Sequence, residues 1–520
     1  MFRRVLIANR GEIAGRVIRT CRRLGIETVL TVSDADVASL PARAADKVIR
    51  IGPAPVTDSY LNVDAVVRAA IAAGVDAVHP GYGFLSENAR LARACAAAGT
   101  VFIGPTPETL EAAGDKLAAR DHATAAGLPV LPGGRVSHDA VAADGDVASL
   151  AARIGFPVLV KAAGGGGGRG LRVVREPGDL ASAADLASAE AGAAFGDPLV
   201  YLERYVERGR HVEVQILGDG ERVVHLGDRD CSVQRRYQKL IEEAPAPGLD
   251  DDLRGRLRAA SVTLGRQLRY RGAGTVEFLV DAERGEFYFL EVNARIQVEH
   301  PVTEAITGLD IVAEQIAIAE GRPLRLGQGD VTFAGHAIEC RINAEDPAHD
   351  FRPSPGTVSR AVFPVSAEGG RDTRGARDRD GEGDGRERDG GQRDGRERGG
   401  GAAGWVRVDT HVQAGVTVPA YYDSLLAKVI GYGADRAEAL RALGSALGRC
   451  AVDGVATNLE MQRAVIGDPA FAAGGVDTGY LTRWLADVHG NGDGWESAGT
   501  VRDDRNSDLD LGADHGVGHD

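Results

Sequence analysis

Lysine is nearly absent from this chain. Five residues, Lys47, Lys116, Lys161, Lys239 and Lys428, stand among 60 basic side chains in a length of 520. Arginine supplies every other positive charge. A lysine kept against that bias is a candidate for a position that needs a compact ammonium on a flexible stem. Methionine occurs only at Met1 and Met461. The five cysteines, Cys21, Cys95, Cys231, Cys340 and Cys450, form no CxxC pair. They read as free thiols in a reducing compartment. No apolar run is long enough to span a membrane. Arg3 and Arg4 are followed only by the short run Val5 to Ala8. That is too little for a signal peptide, so the expected location is cytoplasmic. A formal net charge of -15 argues against nucleic acid as a partner.

What is present fits a globular enzyme. Hydrophobic content is 43% and charged content 26%, and 520 residues suit three or four domains. Strand patterns at Val5 to Ala8, Glu27 to Val32, Asp76 to His79 and Val101 to Ile103 alternate with helix patterns at Glu12 to Leu24, Val63 to Ala73 and Leu91 to Ala98. That alternation implies a parallel sheet. The block lacks GxGxxG, so a dinucleotide site has little support. A helix near Lys116 to Ala126 leads into a region of different pattern. Two stretches, Ser366 to Ala403 and His489 to Asp520, have too few apolar residues to fold and are expected to be disordered. For the first, an interaction arm is the alternative.

Chemistry concentrates in Glu291-Val-Asn-Ala-Arg-Ile-Gln-Val-Glu-His300. Read as a strand, Val292, Ala294, Ile296 and Val298 take one face, and Glu291, Asn293, Arg295, Gln297 and Glu299 the other. The polar face is either solvated or the wall of a site. A solvated face would usually carry Thr, Ser or Lys, not an arginine between carboxylates. Gly274 to Val280 and Glu286 to Glu291 flank a turn at Asp281 to Gly285. A hairpin folded about position 284 sets Glu277 opposite Glu291. Opposed carboxylates repel, and a hard divalent cation such as Mg2+ would relieve them. Glu277, Glu291 and Asn293 are the candidate ligands. A one-residue slip would break the pairing.

Two lysines have telling surroundings. Lys161 directly precedes Ala162-Ala-Gly-Gly-Gly-Gly-Gly-Arg-Gly170, and Lys239 closes Arg229-Asp-Cys-Ser-Val-Gln-Arg-Arg-Tyr-Gln-Lys239. Strand patterns at Ile154 to Lys161 and Leu171 to Val174 make the glycines 164 to 168 a hairpin flap over phosphates, with a flexible linker as the alternative. It is not a P-loop, which needs Gly-Lys-Ser/Thr opening a helix. Lys47 and Lys428 lack such context and are expected at the surface.

At this point the motifs match a family. Ile7-Ala-Asn-Arg-Gly-Glu-Ile13, His79 to Asn88, Gly114-Asp-Lys116, the glycine flap, Arg229-Asp-Cys-Ser232, Glu243-Ala-Pro-Ala-Pro247, Arg295 to Pro301, Glu339 to Asp346, Pro419 to Ser424 and Asp453 to Asn458 occur in order. Over about 1 to 485, apart from the insert, the chain resembles biotin carboxylase of the ATP-grasp superfamily. The resemblance implies an α/β fold, α+β in its C-terminal part. A Rossmann-like parallel sheet (1–115) would precede an ATP-grasp fold with a mobile glycine-rich lid (116–204) and catalytic domain (205–335). An antiparallel-sheet domain (336–485, with the insert 366–403) and an acidic tail (486–520) would follow.

It also implies a reaction. ATP, with Mg2+ or Mn2+, phosphorylates bicarbonate to carboxyphosphate, whose carboxyl group passes to biotin. Lys116, Lys161 and His211 would touch nucleotide, with Gly167 and Gly168 over the phosphates. Glu203, Arg204, Tyr205 and Val206 would form the adenine hinge, and Gln234 and Tyr237 would add nucleotide contacts. Glu277, Glu291 and Asn293 would hold the metal. Lys239, Arg295, Gln297 and the Val298 backbone would hold bicarbonate, and Glu299 would take its proton. Arg341 would stabilise the biotin enolate, with Tyr82 on the substrate side. Tyr237 and Arg204 stand where many members have His and Lys, so altered nucleotide contacts are expected. The chain has no Ala-Met-Lys-Met type motif. Separate partners are therefore implied: a biotin carboxyl carrier protein and a carboxyltransferase subunit, in an acetyl-CoA or propionyl-CoA carboxylase, with pyruvate or urea carboxylase as the alternative. A homodimer is expected. Two rivals remain: an ATP-grasp ligase acting on another carboxylate, and a non-catalytic assembly subunit.

Overall fold

The structure is a computed structural model and describes residues 1–136, 145–162, 172–195, 199–364 and 404–490. The glycine run 164–168 and the insert 366–403 lie outside the described residues.

The N-terminal alternation folds as expected. Strands β1 (Arg4–Ile7), β2 (Glu27–Ser33), β3 (Lys47–Gly52), β4 (Ala77–His79) and β5 (Val101–Phe102) form a parallel sheet in the order β3-β2-β1-β4-β5. Helices Gly11–Arg23, Val63–Ala73 and Ala89–Ala97 connect them. The edge strand β3 had no expectation in the sequence. Its Lys47, Val48 and Arg50 stay exposed, and only Ile51 is buried, although Val48, Ile49 and Ile51 are β-branched strand formers.

A second, four-stranded sheet contains β6 (Gly133–Val136), β7 (Val158–Ala162), β8 (Arg172–Val174) and β9 (Val200–Arg204), in the order β6-β9-β7-β8. β7 and β8, the strands on either side of the glycine run, pair antiparallel from Val158↔Val174. The strand expected from Ile154 begins four residues later, because Ile154 closes the helix Gly145–Ile154.

The third sheet is antiparallel and has eight strands. β10 (Arg210–Asp219), β11 (Val223–Arg235), β12 (Gln238–Ala244), β13 (Arg271–Asp281), β14 (Glu286–Asn293) and β15 (His336–Asn343) are joined by the strands Leu425–Gly433 and Trp405–Thr410. The order is β14-β13-β10-β11-β12-β15, then Leu425–Gly433, then Trp405–Thr410. One continuous ladder therefore crosses position 335, through Ala244↔Ala337.

Two expectations need correction. The strand read as Glu291 to Val298 stops at Asn293. The Ala294 N–H turns out of the ladder to Glu87 Oε1 at 2.8 Å, and the helix His300–Thr307 begins soon after, with Pro301 in its first turn. The tail expected from 486, with disorder from His489, is helical through Gly490. Buried Tyr480 and Leu481 anchor that helix in the C-terminal core. Residues 491–520 lie outside the described residues.

Candidate active site

The register of one hairpin assembles the centre. From the turn, Asp281 pairs with Glu286, Val280 with Phe287, Leu279 with Tyr288 and Phe278 with Phe289. Continued unchanged, that register would set Glu277 against Leu290. A bulge at Leu290 adds one residue to β14, and Glu277 pairs with Glu291 instead. The expected opposition of the two acids is present, and it depends on the bulge.

Lys239 sits at the middle. Its Nζ donates to Glu213 at 2.6 Å, Glu299 at 2.7 Å and Glu277 at 2.8 Å. Burial disfavours the ammonium, but the surrounding acids outweigh that and raise its pKa well above the ordinary lysine value. The reverse holds for its partners. Burial pushes the Glu299 carboxyl up, yet Lys239, Arg341 and Arg229 hold it well below the usual carboxylate range. Glu277 is likewise lowered against its burial by Lys239 and His211, the latter 2.9 Å away. Burial raises Glu213, although Arg229 and Lys239 oppose the rise. Two groups, His211 with Glu213 and Glu277, and Glu213 with Cys231 and Glu299, have close ligand atoms. Both groups share Glu213, which pairs with Arg229 as well as with Lys239.

Asn293, Arg295 and Gln297 form a second layer. Arg295 donates to Asn293 Oδ1 at 2.9 Å, Gln297 Oε1 at 2.8 Å and Glu87 Oε2 at 2.9 Å. Asn293 Nδ2 donates to Glu277 Oε1 at 2.8 Å, and Gln297 Nε2 donates to the same atom at 3.4 Å. Glu277, Glu291 and Asn293 together offer only hard oxygen donors, which suits Mg2+. Arg341 Nη2 lies 3.0 Å from Glu299 and 2.5 Å from Glu242. Tyr82 OH donates to Glu12 Oε1 at 2.5 Å. The turn carrying Tyr82 depends on Gly81 (φ +64), where a Cβ would meet Asn9 Nδ2 at 2.8 Å. Asn9 Nδ2 in turn donates to the Pro80 and Tyr82 carbonyls, each at 2.7 Å.

Other expected residues lie on the neighbouring sheet. Lys161 on β7 pairs with Glu203 on β9 at 2.7 Å. Arg204, Tyr205 and Val206 follow directly, with the Arg204 and Tyr205 N–H groups held by the Pro132 and Pro157 carbonyls. Lys116 opens the helix Lys116–Ala125, and its side chain lies outside the described residues, as do Gly167 and Gly168. Gln234 is buried and is the strand partner of Lys239. Tyr237 is not gathered into the cluster. It sits 63% exposed at the β11–β12 turn, where Arg236 (φ 48) and Tyr237 (φ 67) are both left-handed. Cys231 is buried, its thiol pushed well up by burial, and lies 3.9 Å from Glu299.

Several members were missed by sequence reasoning. Lys428, expected at the surface, is fully buried and donates to the Val298 carbonyl at 2.8 Å. Its strand sits inside the large sheet between β15 and Trp405–Thr410, which the local sequence did not reveal. Lys47 is exposed as expected. Glu213 received no role, although it accepts from fully buried Arg229 as well as from Lys239. Glu242 and Glu339 are cross-strand partners, both buried. Burial raises Glu242 to about 7 and Glu339 well above the carboxylate range. The only sequence signal for Glu213 was its alternation along β10.

Comparison with known proteins decides the family. The model "Biotin carboxylase, N-terminal domain" matches residues 1–110. "Carbamoyl-phosphate synthase L chain, ATP binding domain" matches residues 115–326, and "Biotin carboxylase C-terminal domain" matches 400–483. Biotin carboxylase of Pseudomonas aeruginosa is 48% identical over 487 residues, covering 93% of this chain and 99% of its own. This chain belongs to the biotin carboxylase family. Its fold is that of the family: a parallel N-terminal sheet, an ATP-grasp region and a C-terminal antiparallel region. As a biotin carboxylase it is an ATP-dependent ligase that carboxylates biotin.

Among solved structures, a biotin carboxylase complex with βγ-ATP from Campylobacter jejuni is 40% identical, with a TM-score of 0.80 over 93% of this chain and 99% of that one. The biotin carboxylase domain dimer of Hydrogenobacter thermophilus 2-oxoglutarate carboxylase, solved with MgADP and bicarbonate, is 40% identical. Its TM-score is 0.79, over 94% of this chain and 98% of that one. A pyruvate carboxylase component of Methanothermobacter thermautotrophicus is 43% identical over 93% of this chain and 90% of its own. Biotin carboxylases of different parent enzymes are thus similar to this chain. Among the described residues no helix is long and apolar enough to cross a membrane.

Proposed function

We propose that this chain carries the first half-reaction of an acetyl-CoA or propionyl-CoA carboxylase. It carboxylates the biotin of a separate carrier protein, works beside a carboxyltransferase subunit in the cytoplasm, and acts as a homodimer. The observation that carries the catalytic part is the convergence of Lys239, Arg341 and Glu299 beside the Glu277–Glu291 pair.

ATP binds between the four-stranded and eight-stranded sheets in this reading. Lys116, Lys161 and His211 contact it, Glu203 to Val206 form the hinge, and Gly167 and Gly168 cover its phosphates. Glu277, Glu291 and Asn293 would hold Mg2+, which would screen phosphate charge. Lys239, Arg295, Gln297 and the Val298 backbone hold bicarbonate. Glu299, kept ionised by Lys239 and Arg341, takes the bicarbonate proton. The freed oxyanion attacks the γ-phosphorus, ADP leaves, and carboxyphosphate forms. Arg341 faces negative charge that develops on biotin only during transfer, so it favours the transition state over the ground state. Tyr82 bounds the biotin side. We divide the chain functionally at 115/116, 204/205 and 335/336.

Purification of the chain from its own cell, with every biotinylated partner identified by mass, tests the assembly. A carrier protein together with an acyl-CoA carboxyltransferase supports it. A pyruvate or urea carboxylase partner would replace it.

A further inference from the structure

The loop between β14 and the helix His300–Thr307 carries Arg295, Gln297 and Glu299, yet it has no ladder to hold it. Side chains hold three successive carbonyls instead. Arg295 Nη1 donates to the Ile296 carbonyl at 3.3 Å, His300 Nδ1 to Gln297 at 2.8 Å, and Lys428 Nζ to Val298 at 2.8 Å. A carbonyl only accepts, so His300 carries its proton on Nδ1. Burial first, then nearby cations including Lys428, lowers the pKa of His300 well below the usual value, so the ring is neutral.

We infer that Lys428 is a positioning residue for Glu299, acting through the Val298–Glu299 peptide. The inference rests on the reading of Glu299 as the bicarbonate base. A trans peptide is one rigid plane, with the Val298 oxygen on one edge and the Glu299 N–H on the other. Fixing that oxygen fixes where the Glu299 Cα begins. The ammonium is fully buried and has a second partner, Glu12 Oε1 at 3.0 Å, which also accepts from Tyr82 OH. Asp409 is farther, at 3.9 Å, and already pairs with Arg407 and Arg19. The Lys428 ammonium therefore joins three pieces: its own strand, the loop before Glu299, and the helix Gly11–Arg23 of the N-terminal sheet. A guanidinium is larger and planar, and does not reproduce a point charge held between a carbonyl and a carboxylate. That accounts for a lysine in a chain that uses arginine almost everywhere else.

The test compares Lys428→Met and Lys428→Arg, alone and with Glu12→Gln, which removes the carboxylate that the methionine would leave unpaired. Steady-state kinetics with ATP, bicarbonate and free biotin are read beside ADP affinity and thermal unfolding. Relative to Glu12→Gln, the Lys428→Met/Glu12→Gln enzyme should lose about tenfold to a hundredfold in kcat/KM for bicarbonate. Its ADP affinity and Tm should match those of Glu12→Gln, and Lys428→Arg should not rescue the bicarbonate step. Equal losses for ATP and bicarbonate, a double variant that no longer folds, or unchanged bicarbonate kinetics would each overturn the inference. Arg295→Ala serves as the control. If it leaves the bicarbonate KM unchanged, the reading of the site fails. If it raises that KM while the Lys428 variants leave kcat/KM for bicarbonate unchanged, only the role of Lys428 fails.

Discussion

Lys239 Nζ donates to Glu299 Oε1 at 2.7 Å, and this ammonium is the first of the cations that lower the pKa of the acid proposed to take the bicarbonate proton. The carboxyl is fully buried, and burial alone pushes its pKa up. Lys239, Arg341 and Arg229 reverse that and hold it well below the usual carboxylate range.

Replacing the base should stop proton removal without disturbing nucleotide. Glu299→Gln keeps the shape and loses the charge. Biotin-dependent ADP release should fall by about 10²- to 10⁴-fold. ADP affinity, measured by calorimetry, should stay within a factor of two or so of wild type, roughly 0.4 kcal/mol.

Lys239→Met removes the ammonium that three buried acids share. Breaking a buried ion pair on one side costs about 3–5 kcal/mol. Denaturant unfolding should report a loss of that size, with bicarbonate turnover abolished. A stability unchanged from wild type would mean that water already satisfies those carboxylates.

Arg341→Ser separates the two half-steps. Arg341 is hydrogen-bonded to Glu299 and paired with Glu242, and lies outside the Glu277, Glu291 and Asn293 group. Carboxybiotin formation should fall by about 10²-fold or more, consistent with loss of charge stabilisation in the transition state. Binding of ADP with Mg2+ should persist.

Glu242 gives a pH signature. Burial raises its carboxyl from 4.5 to about 7 in the folded chain. Between those values the folded state holds a proton that the unfolded state has released. Its contribution to stability is full below pH 4.5 and is lost as pH rises towards 7. Glu242→Gln cannot titrate. The stability of wild type relative to this variant should decline across that window by at most about 1.4 kcal/mol per pH unit, then level off. Urea unfolding at a series of pH values measures the difference. A wild-type curve parallel to the variant's would remove Glu242 from the titration.

Much of this was legible in the chain, for identifiable reasons. The N-terminal helices announce themselves by an apolar face at a regular period, and the strands β1, β2 and β4 by short runs buried on both sides. The pairing of Glu277 with Glu291 was also reachable, but for an incomplete reason. The turn alone sets the wrong partner, and the Leu290 bulge, which has no clear local signature, restores the right one. The polar side chains after Asn293 do gather at the site, although the strand that was to carry them has ended. Lys428 was misplaced because its burial comes from a strand order that joins segments far apart in sequence. Glu213, Glu242 and Glu339 escaped for the same reason: each is an ordinary glutamate until the large sheet closes around it.

The central claim is that these acids and cations activate bicarbonate for transfer to biotin. Purified chain supplied with ATP, Mg2+ and labelled bicarbonate should release ADP slowly, and faster when free biotin is added, with label appearing in carboxybiotin. ADP release indifferent to biotin, with no labelled carboxybiotin, would contradict the account and point to a different carboxylate acceptor.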